Sequence, residues 1–158
     1  MYRIDINPNH HAGDLRNYDG SEANSWDLTK GTSASGRKYR YINGDKKLPD
    51  LCLDPFNVLL IKQSIAEIIQ DIVPINWELL DVIVPGGVEY KIANILECIP
   101  TSVDIYQMPI PKVKMQGKGL MVSSVQDPGP ALFADDKFLN IYKKFKWSGI
   151  IPTDVKIG

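Results

Sequence analysis

One apolar pattern constrains this chain more than any other feature, because it occurs twice, 73 residues apart and without a gap. In the first copy Leu59-Leu60-Ile61 reads as a short buried strand, and Ile65, Ile68, Ile69 and Ile72 then recur at the spacing of one helical face. In the second copy Leu132-Phe133-Ala134 stands for the triplet, and Phe138, Ile141, Tyr142 and Phe145 stand for the isoleucines. The correspondence runs past the helix, since Asp81-Val82-Ile83-Val84 falls on Asp154-Val155-Lys156-Ile157. Two strand–helix–strand units are implied, each with an apolar helix stripe expected to pack inward. Pro74 closes the first helix, while Asp135 or Asp136 caps the second and Lys143, Lys144 and Lys146 suit the negative pole of its macrodipole. Asp54-Pro55 offers an alternative start for the first helix. Any pair of amphipathic helices shares such a stripe, so the sequence leaves open whether the echo is a duplication.

The remaining segments arrange themselves around these units. Leu79–Val84 and Val88–Ile95 are strand candidates on either side of a turn at Pro85-Gly86-Gly87. Residues 1–47 are polar, with strand-like pieces at Tyr2–Ile6 and Tyr39–Ile42 and a tight-turn dipeptide at Asn43-Gly44. Residues 100–130 form a connection rich in proline and glycine, in which Lys112-Val113-Lys114-Met115 alternates like an edge strand and Leu120-Met121-Val122 like a short buried one. The fold expected is a single α+β domain with a mixed or antiparallel sheet and two main helices. Its segments are a polar N-terminal region (1–47), a first strand–helix–strand unit with the strand that follows (48–99), the connection (100–130) and a second unit (131–158). A length of 158 residues with 44% apolar content suffices for one core without metal or disulfide. Cys52 and Cys98 stand 46 residues apart, outside zinc or redox spacing, and are expected to be reduced and buried.

Charge and motifs narrow the function. A net charge of −1 offers no positive field for nucleic acid or an anionic membrane. The chain starts Met-Tyr-Arg-Ile-Asp-Ile-Asn-Pro, without the pattern of a secretory signal, and has no apolar run of membrane-spanning length, so a cytoplasmic protein is expected. The only histidines, His10 and His11, are adjacent and would point opposite ways in an extended chain. Gly117-Lys118-Gly119 lacks the context of a phosphate loop. Glu89, Glu97 and Asp104 near strand ends are the best acid–base candidates for a small hydrolase, although isolated carboxylates are more often solvated or salt-bridged. No catalytic, cofactor-binding or metal-ligating set emerges, and binding to another protein is the expected activity. Asp14, Asp19, Glu22 and Asp27 precede a basic run from Lys30 to Lys47, and Trp26 is either a plug on the core or an interface anchor.

Several segments recur in a familiar order. They are Trp26, Pro49-Asp50, the triplet Leu59-Leu60-Ile61 running into a helix, Tyr90-Lys91-Ile92-Ala93-Asn94-Ile95, Asp104, Leu132-Phe133, Phe138 and the closing Trp147-Ser148-Gly149-Ile150-Ile151-Pro152. In this order and spacing the chain resembles the immunity proteins of bacterial polymorphic-toxin systems, specifically immunity-protein family eleven, formerly a domain of unknown function. It departs from that pattern at Lys62, where a serine is usual, and across residues 105–130. The resemblance implies a protein made beside a toxin, retained in the producing cell, and neutralising that toxin by binding, with no cofactor. On this reading Asp19, Glu22 and Trp26 are the candidate contact residues. The rival readings are a small hydrolase reversing the toxin's damage and an adaptor module of a secretion system.

Overall fold

The computed structural model describes residues 2–5, 7, 9–24, 27–28, 31–99, 118–123 and 131–154. In chain order its elements are β1 (Tyr2–Asp5), β2 (Asp14–Asn17), β3 (Tyr39–Ile42), β4 (Leu51–Leu53), β5 (Leu59–Lys62), α1 (Gln63–Ile72), β6 (Trp77–Ile83), β7 (Tyr90–Ile95), β8 (Cys98–Ile99), β9 (Leu120–Ser123), β10 (Leu132–Ala134), α2 (Asp136–Lys144) and β11 (Ile151–Asp154). The strands form a six-stranded sheet, β2-β3-β6-β7-β5-β4, and a five-stranded sheet, β11-β1-β10-β9-β8. This is a mixed α+β architecture, with strand–helix–strand units at β5-α1-β6 and β10-α2-β11; of the stretch from Asp154 to Ile157 that the offset sets against Asp81–Val84, only Asp154 is in β11, and 155–157 lie outside the described residues. The edge strand expected at Lys112–Met115 lies outside the described residues, as do Trp26 and Asp104.

Register shows that the echo is structural. In the first unit β7 lies between β5 and β6, antiparallel to both, and β4 flanks β5. In the second, β1 lies between β10 and β11, antiparallel to both, and β9 flanks β10. Leu59, Leu60 and Ile61 face Leu53, Cys52 and Leu51, just as Leu132, Phe133 and Ala134 face Val122, Met121 and Leu120. On the other side Leu59 is opposite Ala93, which is opposite Leu79, while Leu132 is opposite Ile4, which is opposite Pro152. Leu79 and Pro152 are again 73 residues apart, as are Asp81 opposite Lys91 and Asp154 opposite Tyr2. A one-residue slip would turn every side chain to the wrong face, so preserved register means preserved packing. The units differ in where the middle strand comes from: β7 follows β6 directly, whereas β1 reaches its place from the start of the chain.

Both units share one core. Leu51, Leu53, Leu59, Ile61, Ala93 and Ile95 of the six-stranded sheet pack with Ile4, Leu120, Val122, Leu132 and Ala134 of the other sheet and with the inner faces of both helices. On the opposite face of the six-stranded sheet, Cys52, Leu60, Leu80, Tyr90 and Ile92, with Tyr39 and Tyr41 of β3, pack with Leu28, Ala34 and Leu48. The polar N-terminal region therefore supplies a second apolar layer.

The inward isoleucine stripe is only half realised. Ile65, Ala66 and Ile69 are buried, but Ile68 and Ile72 remain 36% and 45% exposed. At 100° per residue the buried arc centres between Ile65, Ala66 and Ile69, which leaves Ile68 and Ile72 on its flank. The second helix behaves alike, burying Phe138, Leu139 and Ile141 and leaving Phe145 42% exposed. Asp135 caps it by accepting from the Phe138 N–H at 2.9 Å, whereas α1 starts at Lys62 with no side-chain cap. Asp54-Pro55 is a hairpin turn and not a helix start: Asp54 Oδ1 accepts from the N–H groups of Phe56 (2.8 Å) and Val58 (3.0 Å), and its Oδ2 from the Tyr41 hydroxyl (2.7 Å). Cys52 is buried as expected, but Cys98 is exposed, because the two-residue β8 ends its sheet.

Contacts between the units are reciprocal. Asp50, just before β4, accepts from the N–H and hydroxyl of Ser148 (3.0 and 3.2 Å), in the α2–β11 loop. Gly119, just before β9, abuts Ile75, the residue 73 positions before Ser148 in the α1–β6 loop. Each unit thus touches the equivalent loop of the other, the arrangement of an isologous pair inside one chain.

Candidate partner-binding surface

The outer edge of the six-stranded sheet is made by β2 and β3, whose surroundings carry the acidic and basic runs respectively. Antiparallel pairing interleaves the two runs. Asp14 lies opposite Ile42 and Arg16 opposite Arg40, Arg37 donates to Asp27, and Lys38 and Arg40 sit 5.9 and 5.5 Å from the centre of the Tyr18 ring. What reads as charge blocks along the chain is a mixed-charge edge in space.

A braced turn ends this edge. Asp19 Oδ1 accepts from the N–H (2.9 Å) and hydroxyl (2.6 Å) of Ser21, and the Asn17 side-chain amide donates to Ser21 Oγ (3.1 Å) and the Glu22 carbonyl (2.9 Å). Gly20, at φ +89°, makes the reversal possible. The Ser21 hydrogen bonds hold the Asp19 carboxyl below the usual aspartate range. Asp19 and Glu22 both face solvent from this turn.

Next to the turn, Tyr18, Lys38, Asp81, Ile83, Glu89 and Lys91 line a shallow concavity of about 230 Å³. Tyr18 and Ile83 stay 53% and 47% exposed there. Lys91 Nζ donates to Asp81 at 2.5 Å, and this bond, with the nearby Lys38, keeps the Asp81 carboxyl below its usual range. Pockets that enclose a small organic ligand run to roughly 300–1,000 Å³, and this one falls below that range.

The acid–base candidates do not converge. Glu89 and Glu97 sit beyond opposite ends of β7, a strand that by itself spans roughly 17 Å. Glu97 is paired with Lys118 (3.3 Å) and receives the Asn76 amide (3.4 Å). His11 is tied by its backbone N–H to Asp45 (2.8 Å). Among the described residues no group of three or more His, Cys, Asp or Glu could hold a metal, and no helix is long and apolar enough to cross a membrane.

A carboxylate that sequence reasoning missed, Glu78, anchors the loop before β3. It accepts from the Ala34 N–H, the Ser33 hydroxyl (2.8 Å) and the buried Asn94 amide (2.8 Å), which also donates to the Thr32 carbonyl (2.9 Å). Burial opposes its charge, but these donors outweigh it and hold the carboxyl below the usual glutamate range. Its position opposite Asn94 on adjoining strands was the available signal.

Three segments distant in the chain, at residues 48–51, Tyr90 and 148–149, meet at one place. The Tyr90 hydroxyl donates to the carbonyls of Pro49 (2.7 Å) and Leu48 (3.0 Å), Asp50 holds Ser148, and a Cβ on Gly149 would fall 1.7 Å from the Leu51 carbonyl oxygen. Lys62 closes this node with a 2.9 Å ion pair to Asp50. Compared with known proteins, the chain matches no protein-family model, no curated protein and no solved structure.

Proposed function

We propose that this chain is an immunity protein that binds and neutralises a cognate bacterial toxin in the cell that makes both, by non-catalytic protein–protein contact in the cytoplasm. The observation that carries the reading is the braced turn: the Asp19 carboxylate is held by Ser21, and the Glu22 backbone carbonyl by Asn17, at an exposed sheet edge beside the exposed pair Tyr18 and Ile83. Pre-ordered polar groups next to apolar anchors lower the entropy lost on binding, which is what a tight inhibitor requires. The order of the segments from Pro49 to Pro152 supports the family assignment, and their meeting around Asp50 gives that order a structural sense.

The contact face comprises Asp19, Glu22 and, by sequence position, Trp26. The test is co-expression with the product of the neighbouring gene in a toxicity-rescue assay, followed by affinity measurements on Asp19→Lys/Glu22→Lys. Loss of rescue together with a weakened, less salt-sensitive affinity is expected. Unchanged affinity and salt dependence would remove this face, and a neighbour that is not toxic would remove the immunity reading itself.

A further inference from the structure

The two helices occupy equivalent places in the repeat, yet their outer stripes carry opposite charge. On α1 the stripe is Ser64, Glu67 and Asp71; the positions 73 residues on are Lys137, Asn140 and Lys144 of α2. All six are exposed. Beside each stripe the same equivalent position leaves an apolar side chain in solvent, Ile72 on α1 and Phe145 on α2.

The lysines at the C-terminal end of α2 suit its own macrodipole, but the acids of α1 are at odds with theirs. Glu67 and Asp71 are like charges at i and i+4, Asp71 sits in the last turn at the negative pole, and α1 has neither a side-chain cap nor a basic residue in that turn. A charge pattern that its own helix disfavours is satisfied by a cationic partner. The surface that complements it in both charge and exposed apolar character is α2 of another molecule of the same chain.

We propose that α1 of one molecule docks against α2 of a second copy, with Glu67 and Asp71 facing Lys137 and Lys144 and with Ile72 and Phe145 at the margin of the contact. The contact joins unlike surfaces, so it is heterologous. Exposed ion pairs are individually weak, so association is weak and falls with salt.

Sedimentation equilibrium of the full chain, up to about 1 mM protein, tests this at low and high salt, with an association constant expected to drop at least about tenfold between the two. The variants Glu67→Lys/Asp71→Lys and Lys137→Glu/Lys144→Glu should each be monomeric, because both helices then carry the same sign. An equimolar mixture of the two should associate, since each supplies the helix the other lacks; this recovery also shows that both are folded. If either pair fails to fold, Asp71→Lys and Lys144→Glu are used in the same scheme. A wild-type chain that stays monomeric at low salt, a reversed variant that associates like wild type, or a mixture that stays monomeric overturns the proposal. So does a monomeric wild type that binds an unrelated basic protein through Glu67 and Asp71.

Discussion

Asp50 and Asp54 lie four residues apart, and burial acts on both, with opposite results. At Asp50 burial is opposed by Lys62 and Ser148, and the carboxyl is held below its usual range. At Asp54 burial prevails over the donors from Val58, Tyr41 and Phe56, and the carboxyl is pushed up. A depressed folded pKa gives stability that is present above the unfolded value of about 4 and is lost as pH falls through the folded value. A raised one acts the other way, so stability declines as pH climbs from the unfolded to the folded value and stays reduced above it. Asp50→Asn should therefore destabilise the protein at neutral pH, with the gap to wild type closing in acid. Asp54→Asn, which keeps an acceptor for Phe56 and Val58, should be at least as stable as wild type at pH 7, whereas Asp54→Ala strands buried donors and should lose about 1–3 kcal/mol. Urea unfolding across pH checks both, and a wild type more stable than Asp54→Asn at pH 7 would contradict the sign. The sequence marks these aspartates as turn residues, but their partners Ser148 and Tyr41 are distant in the chain and leave no local trace.

Helix period was legible in the sequence, but the centre of the buried arc was not. The i, i+3, i+4, i+7 spacing says which side chains share a face, while the surface covering that face decides how much of it is buried; Ile68 and Ile72 lie past the cover. Capping was legible for α2, where an aspartate precedes the helix, and its side chain does double duty by also accepting from the Gly119 N–H at 3.0 Å. Nothing equivalent stands before α1. The first-turn amides of α1 should consequently exchange with solvent faster than those of α2, and Asp135→Ala should remove that difference while costing about 1–2 kcal/mol. Hydrogen exchange read at single residues measures this, and equal protection of the two first turns in the wild type would show that packing rather than capping sets their stability. The candidate surface was legible only as charge runs, because the β2–β3 pairing that interleaves them and creates the Asp19 turn is a tertiary fact.

For the whole molecule, the 73-residue offset was visible in the sequence as far as its strands and helices go, but the middle strand of the second unit was not, since β1 pairs with partners at the far end of the chain. The first unit shows what the unpermuted arrangement looks like: β6 turns through Pro85-Gly86-Gly87 directly into β7. In the second unit Asp154 and Tyr2 are already opposite one another in an antiparallel ladder, so their Cα atoms lie about 4.5–5.5 Å apart. Joining Gly158 to Met1 would leave residues 155–158 and 1 as the link, within the usual two to five residues of a hairpin loop. Such a chain can be opened between His10 and His11, after β1 and before β2, where the backbone belongs to no strand. The resulting circular permutant keeps every strand pair of both sheets and converts the long-range insertion of β1 into a local hairpin. It should fold to a cooperative native state with a denaturant midpoint close to wild type, and should fold faster, because loop closure is shorter for the β1 contacts. Stopped-flow refolding and equilibrium unfolding measure the two quantities. A permutant that fails to fold, while one opened in the loop between β3 and β4 succeeds, would mean that the β1–β2 connection does more than join the two sheets.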